Sequence, residues 1–196
     1  MSTTDKCLLV KIKRQDCLNK YQQFPTRVYG KAIKDYIEFY PEPYSYYVIT
    51  SGHKTFKGRI NHLGIEISKI AKKVGYNSLI FLGDEDIPWL HRDSDFKPAK
   101  AALDYLMQNK VGKRFNGALQ VYPSQIPVFV KHLAWLTRCN TVLPYVYFTD
   151  PGHNITGHIC QYGNLHINLL NSNTEEILKL CLDSSKLELL VTAHCS

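Results

Sequence analysis

Tyr44-Ser-Tyr-Tyr-Val-Ile-Thr50, followed by Ser51-Gly52-His53-Lys54-Thr55-Phe56-Lys57-Gly58-Arg59, is the passage from which a fold can be built. Aromatic and β-branched residues fill the first seven positions, as in a strand, and the polar, glycine-containing stretch behind them breaks it. Ile60, Leu63, Ile67, Ile70, Ala71 and Val74 then recur at three- and four-residue spacing, which predicts a helix closed by Gly75. A second apolar run, Ser78 to Leu82, stops at Gly83-Asp84-Glu85-Asp86-Ile87-Pro88. Strand, basic loop, helix, strand and acidic loop are the order of a right-handed crossover between parallel neighbours. Both loops would then leave side by side from the carboxyl edge of one sheet.

Upstream, Lys6 to Lys13 alternates around Leu8, Val10 and Ile12 and predicts a strand, and Asp16 to Gln23 predicts a short helix stopped by Pro25. Val28, Ala32, Ile33, Tyr36, Ile37 and Tyr40 fall at helical spacing, so a helix is expected over 28–39, ended by Pro41 and Pro43. Downstream, a helix is expected from Ala99 to Asn109, with Pro98 in its first turn. From Phe115 the pattern reads strand, helix (Ser124 to Arg138, capped by Asn140), strand (Leu143 to Phe148), two strands (Ile155 to Gln161 and Asn164 to Leu170), helix to Leu182, and a last strand, Leu187 to Thr192.

Tyr162-Gly163 reads as a two-residue hairpin link. That register puts His158 on one face with Cys160, Leu165 and Ile167, and His166 with Asn168 on the other. The fold class is therefore α/β, a mixed sheet flanked by helices, and the C-terminal half follows a ferredoxin-like βαββαβ-type element order with an added strand. The chain reads as one domain over 1–196, with a possible division at Val111-Gly112-Lys113-Arg114 into a basic part, 1–112, and a ferredoxin-like part, 113–196.

The chain has 196 residues, 44% of them hydrophobic, enough for a substantial core. No apolar run approaches the roughly 18 residues of a membrane span, and the first apolar patch is too short for a secretory signal, so a soluble cytoplasmic protein is expected. The six cysteines form no CxxC pair and are expected to be reduced thiols. Asp150, His153, His158 and Cys160 have no spacing typical of zinc.

The net charge of +7 is unevenly placed: residues 1–83 hold 14 Lys or Arg against 6 Asp or Glu, and the remainder 10 against 11. An anionic partner for the first part is implied, whether nucleic acid, nucleotide or acidic protein. The basic loop fits this, because backbone N–H groups and the positive end of a helix attract phosphate. Ser51, Gly52, Lys54, Thr55, Lys57 and Arg59 are its candidate ligand-binding residues, although it has neither the GxxxxGK[ST] nor the GxGxxG spacing.

His53, set among cations, is the candidate general acid or base. Asp84 and Asp86 are candidate catalytic carboxylates that could hold Mg²⁺ against a phosphate. His53-Lys54-Thr55 has the HxT form of a two-histidine phosphoesterase, but the second HxT is missing, since the later histidines read His158-Ile159-Cys160 and His166-Ile167-Asn168. The expected function is binding of a phosphate-bearing ligand, with phosphodiester hydrolysis as its enzymatic extension. The alternatives are a non-catalytic partner of an acidic protein, or an enzyme centred on His166 and Asn168.

Overall fold

The computed structural model describes residues 9–139, 142, 143, 145–190 and 195, and in them five helices accompany ten strands. The order is β1 (Leu9–Ile12), α1 (Arg14–Lys20), β2 (Thr26–Gly30), β3 (Asp35–Phe39), β4 (Ser45–Ser51), α2 (Phe56–Val74), β5 (Leu79–Gly83), α3 (Lys97–Gln108), β6 (Ala118–Val121), α4 (Ile126–Arg138), β7 (Val146–Thr149), β8 (Ile155–Ile159), β9 (Leu165–Leu169), α5 (Ser172–Asp183) and β10 (Leu187–Leu189). Eight strands form one sheet in the order β1-β6-β5-β7-β8-β9-β4-β10, and β2-β3 is a separate hairpin. Among the described residues no helix is long and apolar enough to cross a membrane.

The α/β class holds, with helices packed on a large sheet, while every pairing in that sheet is antiparallel where a mixed sheet was expected. β4 and β5 are not neighbours. They run in the same direction, but β9, β8 and β7 lie between them. Strands of the two proposed parts interleave: β5 sits between β6 and β7, and β4 between β9 and β10.

Alternation along each strand divides the core in two. Leu79 and Phe81 of β5, with Phe148, Ile167 and Leu169, face α2, α3, α4 and α5 in the main core. Ile80 and Leu82 of the same strand face the other way, against Cys17 and Tyr21 of the α1 segment. The unbroken apolar run of β5 is thus explained by burial on both faces. Helix α2 is amphipathic as expected: it starts at Thr55, whose Oγ1 accepts a hydrogen bond from the Gly58 amide, and ends on Gly75 at φ 81°.

The helix expected over 28–39 is instead the β2-β3 hairpin, in register from Thr26↔Phe39 to Gly30↔Asp35. Its residues suit either period, and tertiary contacts decide between them. Arg27 is buried between the rings of Tyr36 and Tyr145, its guanidinium carbon 3.9 Å from each ring centre, an arrangement that needs Arg27 and Tyr36 on two facing strands.

The β8-β9 hairpin also departs from expectation. Cys160 donates its amide to the Asn164 carbonyl, and Gly163 at φ 80° closes a three-residue loop rather than a two-residue one. The register becomes His158↔His166 and Ile159↔Leu165. A slip of one residue moves a side chain to the opposite face, so His158 lies beside His166 and not among the core leucines. The expected cap Asn140 and the end of the last strand, at Thr192, lie outside the described residues.

Candidate functional site

Both loops leave from the same edge of the sheet, because β4 and β5 point the same way, but four strand spacings separate them, about 19 Å. The structure therefore does not enclose one pocket between a basic and an acidic loop.

In the acidic loop, Asp84 is buried and both its carboxylate oxygens accept from Arg27, through Nε at 3.0 Å and through Nη2. Arg14 reaches the Gly83 carbonyl at 2.9 Å and the Asn116 carbonyl at 3.2 Å, and Asn116 holds the Glu85 carbonyl. Asp86 is exposed. Both Asp84 oxygens are thus engaged by a buried guanidinium, a structural role that stands beside the Mg²⁺ role expected of it with Asp86.

The basic loop is built differently. Ser51 is buried, its Oγ 3.0 Å from His62 Nδ1, and His62 Nε2 lies 3.5 Å from Glu66. His53 packs edge-on against His62, ring centres 5.0 Å apart, and is far from Asp84 and Asp86. Gly52 passes so close to β10 that a Cβ there would stand 2.7 Å from Glu188 Oε1. Thr55 is committed to capping α2, whereas Lys54 and Lys57 are exposed and, like Arg59, form no ion pair among the described residues. At about 100° per residue Arg59 leaves α2 roughly 200° round from Lys57. Lys72 lies only about 60° round from Lys57, Lys69 about 120°, and the only acid of the helix, Glu66, is buried and paired with Lys69 at 2.7 Å.

A third place was missed in the sequence except for His166 and Asn168. On the face of the sheet opposite the main helices, a hollow of about 320 Å³ is walled by Tyr46, Tyr147, His158, His166 and Asn168 from the strands and Tyr40 from the segment after β3. The two imidazoles stack with centres 4.5 Å apart and planes 12° from parallel. Burial pushes His158 down to about 3, with His166 beside it as the lesser cause, and burial lowers His166 too. Tyr40 and Tyr147 join through their hydroxyls, and burial raises both, Tyr40 to about 12. Neutral rings dominate this hollow, so it offers no cation to an anion.

Behind His166 stand two thiols. Its Nε2 is 3.0 Å from Cys195 Sγ, its Nδ1 is hydrogen-bonded with the Tyr46 hydroxyl, and Cys160 Sγ is 3.7 Å from Cys195 Sγ. The turn signal Gly163 read as a three-residue loop would have placed His158 beside His166. Nothing in the spacing announces Cys195. The residues weighed for zinc in the sequence separate: Asp150 is wholly buried and accepts from the amides of Gly152, Asn154 and Ile155, and His153 packs on Tyr21.

Comparison with family models, curated proteins and solved structures finds no match.

Proposed function

We propose that the protein binds a phosphate-bearing ligand, nucleic acid or nucleotide, along the exposed basic side of α2 and the loop that precedes it. What carries the reading is a line of cations without counter-ions: Lys54 and Lys57 make no ion pair among the described residues, and Lys72 continues their side of the helix. From Lys57 to Lys72 the helix rises about 22 Å, room for several consecutive phosphates. The uneven charge of the chain supports the same reading, since the excess of Lys and Arg lies in residues 1–83.

The proposal is one of binding. Hydrolysis by His53 with Asp84 and Asp86 would need groups that three intervening strands keep apart.

Fluorescence anisotropy with labelled single-stranded and duplex oligonucleotides, and with nucleotides as competitors, tests it over a range of salt. The affinity should fall steeply with salt, and Lys54→Ala/Lys57→Ala/Lys72→Ala should flatten the logarithmic slope by about 2 to 3. Unchanged affinity in the triple variant at low salt removes the proposal. Failure to bind nucleic acid together with stoichiometric capture of one acidic protein replaces it with the interaction-partner reading.

A further inference from the structure

Cys160, His166 and Cys195 bring three soft donor atoms to one point, all within 4.8 Å of one another. We propose that they bind a thiophilic divalent metal ion, Zn²⁺ by the chemistry of the donors, with three protein ligands and the fourth position left open. This site is independent of the basic side of α2.

The sulfur geometry comes first. Two thiolates, each about 2.3 Å from a tetrahedral zinc, stand about 3.8 Å apart. Cys160 and Cys195 are 3.7 Å apart, far beyond a disulfide of about 2.0 Å and at the edge length of a zinc tetrahedron. The edge from His166 Nε2 to Cys195 Sγ, 3.0 Å, is that of a thiol hydrogen bond and must widen by about half an ångström to admit the ion. A small χ1 rotation of Cys195, which lies beyond β10, supplies that.

The surroundings are those a metal site needs. Tyr46 engages His166 at Nδ1, which fixes the ring and leaves Nε2 toward the sulfurs, the role of the outer partner of a ligating histidine. Asn164 Nδ2 donates to Cys195 Sγ at 3.4 Å, so this sulfur already holds a donor suited to a thiolate. A second, independent feature is Asn164 Oδ1, a buried acceptor with no partner among the described residues. Residue 164 is 2% exposed, and a water carried on the fourth position of the ion would give that oxygen a donor.

Two sulfurs and an imidazole with no carboxylate exclude Mg²⁺ and Ca²⁺ and favour zinc. Binding displaces one proton from each thiol, leaving the ion with its two thiolates electrically neutral, as suits a half-buried place. Three protein ligands with an open position are the arrangement of catalytic rather than structural zinc. His166 is also a wall of the 320 Å³ hollow, so the ion would stand next to it.

The test uses the full chain, reduced, freed of metal with a chelator and titrated with Co²⁺. One equivalent should produce the visible bands of tetrahedral thiolate-bound cobalt, and Zn²⁺ should abolish them. Cys195→Ala and His166→Gln should each weaken binding about 100-fold or more, Tyr46→Phe about tenfold, and Cys139→Ser not at all. Cys195→Ala carries the decision, because it removes no part of the sheet or helices, which circular dichroism checks. Absence of the tetrahedral spectrum in the reduced protein, or its persistence in Cys195→Ala, overturns the proposal.

Discussion

Arg27→Ala should release the β2-β3 hairpin without melting the rest of the protein. Arg27 and Asp84 are 8% and 3% exposed, so loss of the guanidinium strands a carboxylate inside, which costs about 3–5 kcal/mol when one partner of a buried pair is removed. The two ring contacts with Tyr36 and Tyr145 add roughly 1 kcal/mol each. No backbone ladder joins β2-β3 to the large sheet, and a lone two-stranded hairpin is marginal in water. The cheapest way to rehydrate Asp84 is therefore to open residues 26–39 locally. A loss of about 3 kcal/mol there raises the open population by about two orders of magnitude.

Native-state hydrogen exchange reads this directly. Amides of Val28 and Ile37, which face each other in the hairpin, should exchange about 100-fold faster, while those of Phe81 and Phe148 change by less than about threefold. Arg27→Met with Asp84→Leu should recover most of the protection, because no charge is then left unpaired. If Arg27→Ala leaves hairpin exchange unchanged, or if the double variant is as labile as the single one, the ion pair is not what holds this element.

Three further outcomes follow from local geometry. His132 stacks on Tyr105, and burial first, Lys131 second, pushes it down to about 4, so the unfolded chain takes up its proton near pH 6.5 well before the folded one. Stability from this residue is whole above pH 6.5 and is lost toward pH 4, by about 1–2 kcal/mol once partial exposure is discounted. Urea melts at pH 7 and 4.5 should show a difference that His132→Gln reduces by that amount. Gly157→Ala would set a Cβ 2.3 Å from the His166 carbonyl oxygen and should lower Tm by at least about 6 °C in a calorimeter. Gly112→Ala, with open space around it, should leave Tm nearly unchanged. Thr55→Ala removes the cap of α2 and should cost about 1 kcal/mol in denaturant titration, with Thr55→Ser keeping most of it.

Local chemistry made much of the fold legible. The period of α2 and its glycine stop are written in residues 60–75, the apolar run of β5 in residues 78–82, and the proline-led starts of α3 and α4 at Pro98 and Pro127. What failed did so where the sequence permits two answers and distant residues choose. Val28 to Tyr40 fits both periods until Arg27 finds Asp84. One residue of loop length at Gly163 decides which face His158 takes. Adjacency of β4 and β5 was assumed from their succession, and three later strands intervene. The basic loop was therefore visible as a feature, whereas the cluster of Cys160, His166 and Cys195 depends on a tertiary approach that no spacing encodes.

The interleaving of strands has a consequence for synthesis. On the ribosome β4 and β5 emerge with none of their ladder partners, β6, β7, β9 and β10, yet translated. At about 5–20 residues per second the aromatic YSYYVIT and apolar SLIFL segments must wait several seconds, sticky and unpaired. Nascent chains halted near residue 112 should accordingly recruit holding chaperones, and release should coincide with arrival of the later strands rather than with growth of the helices.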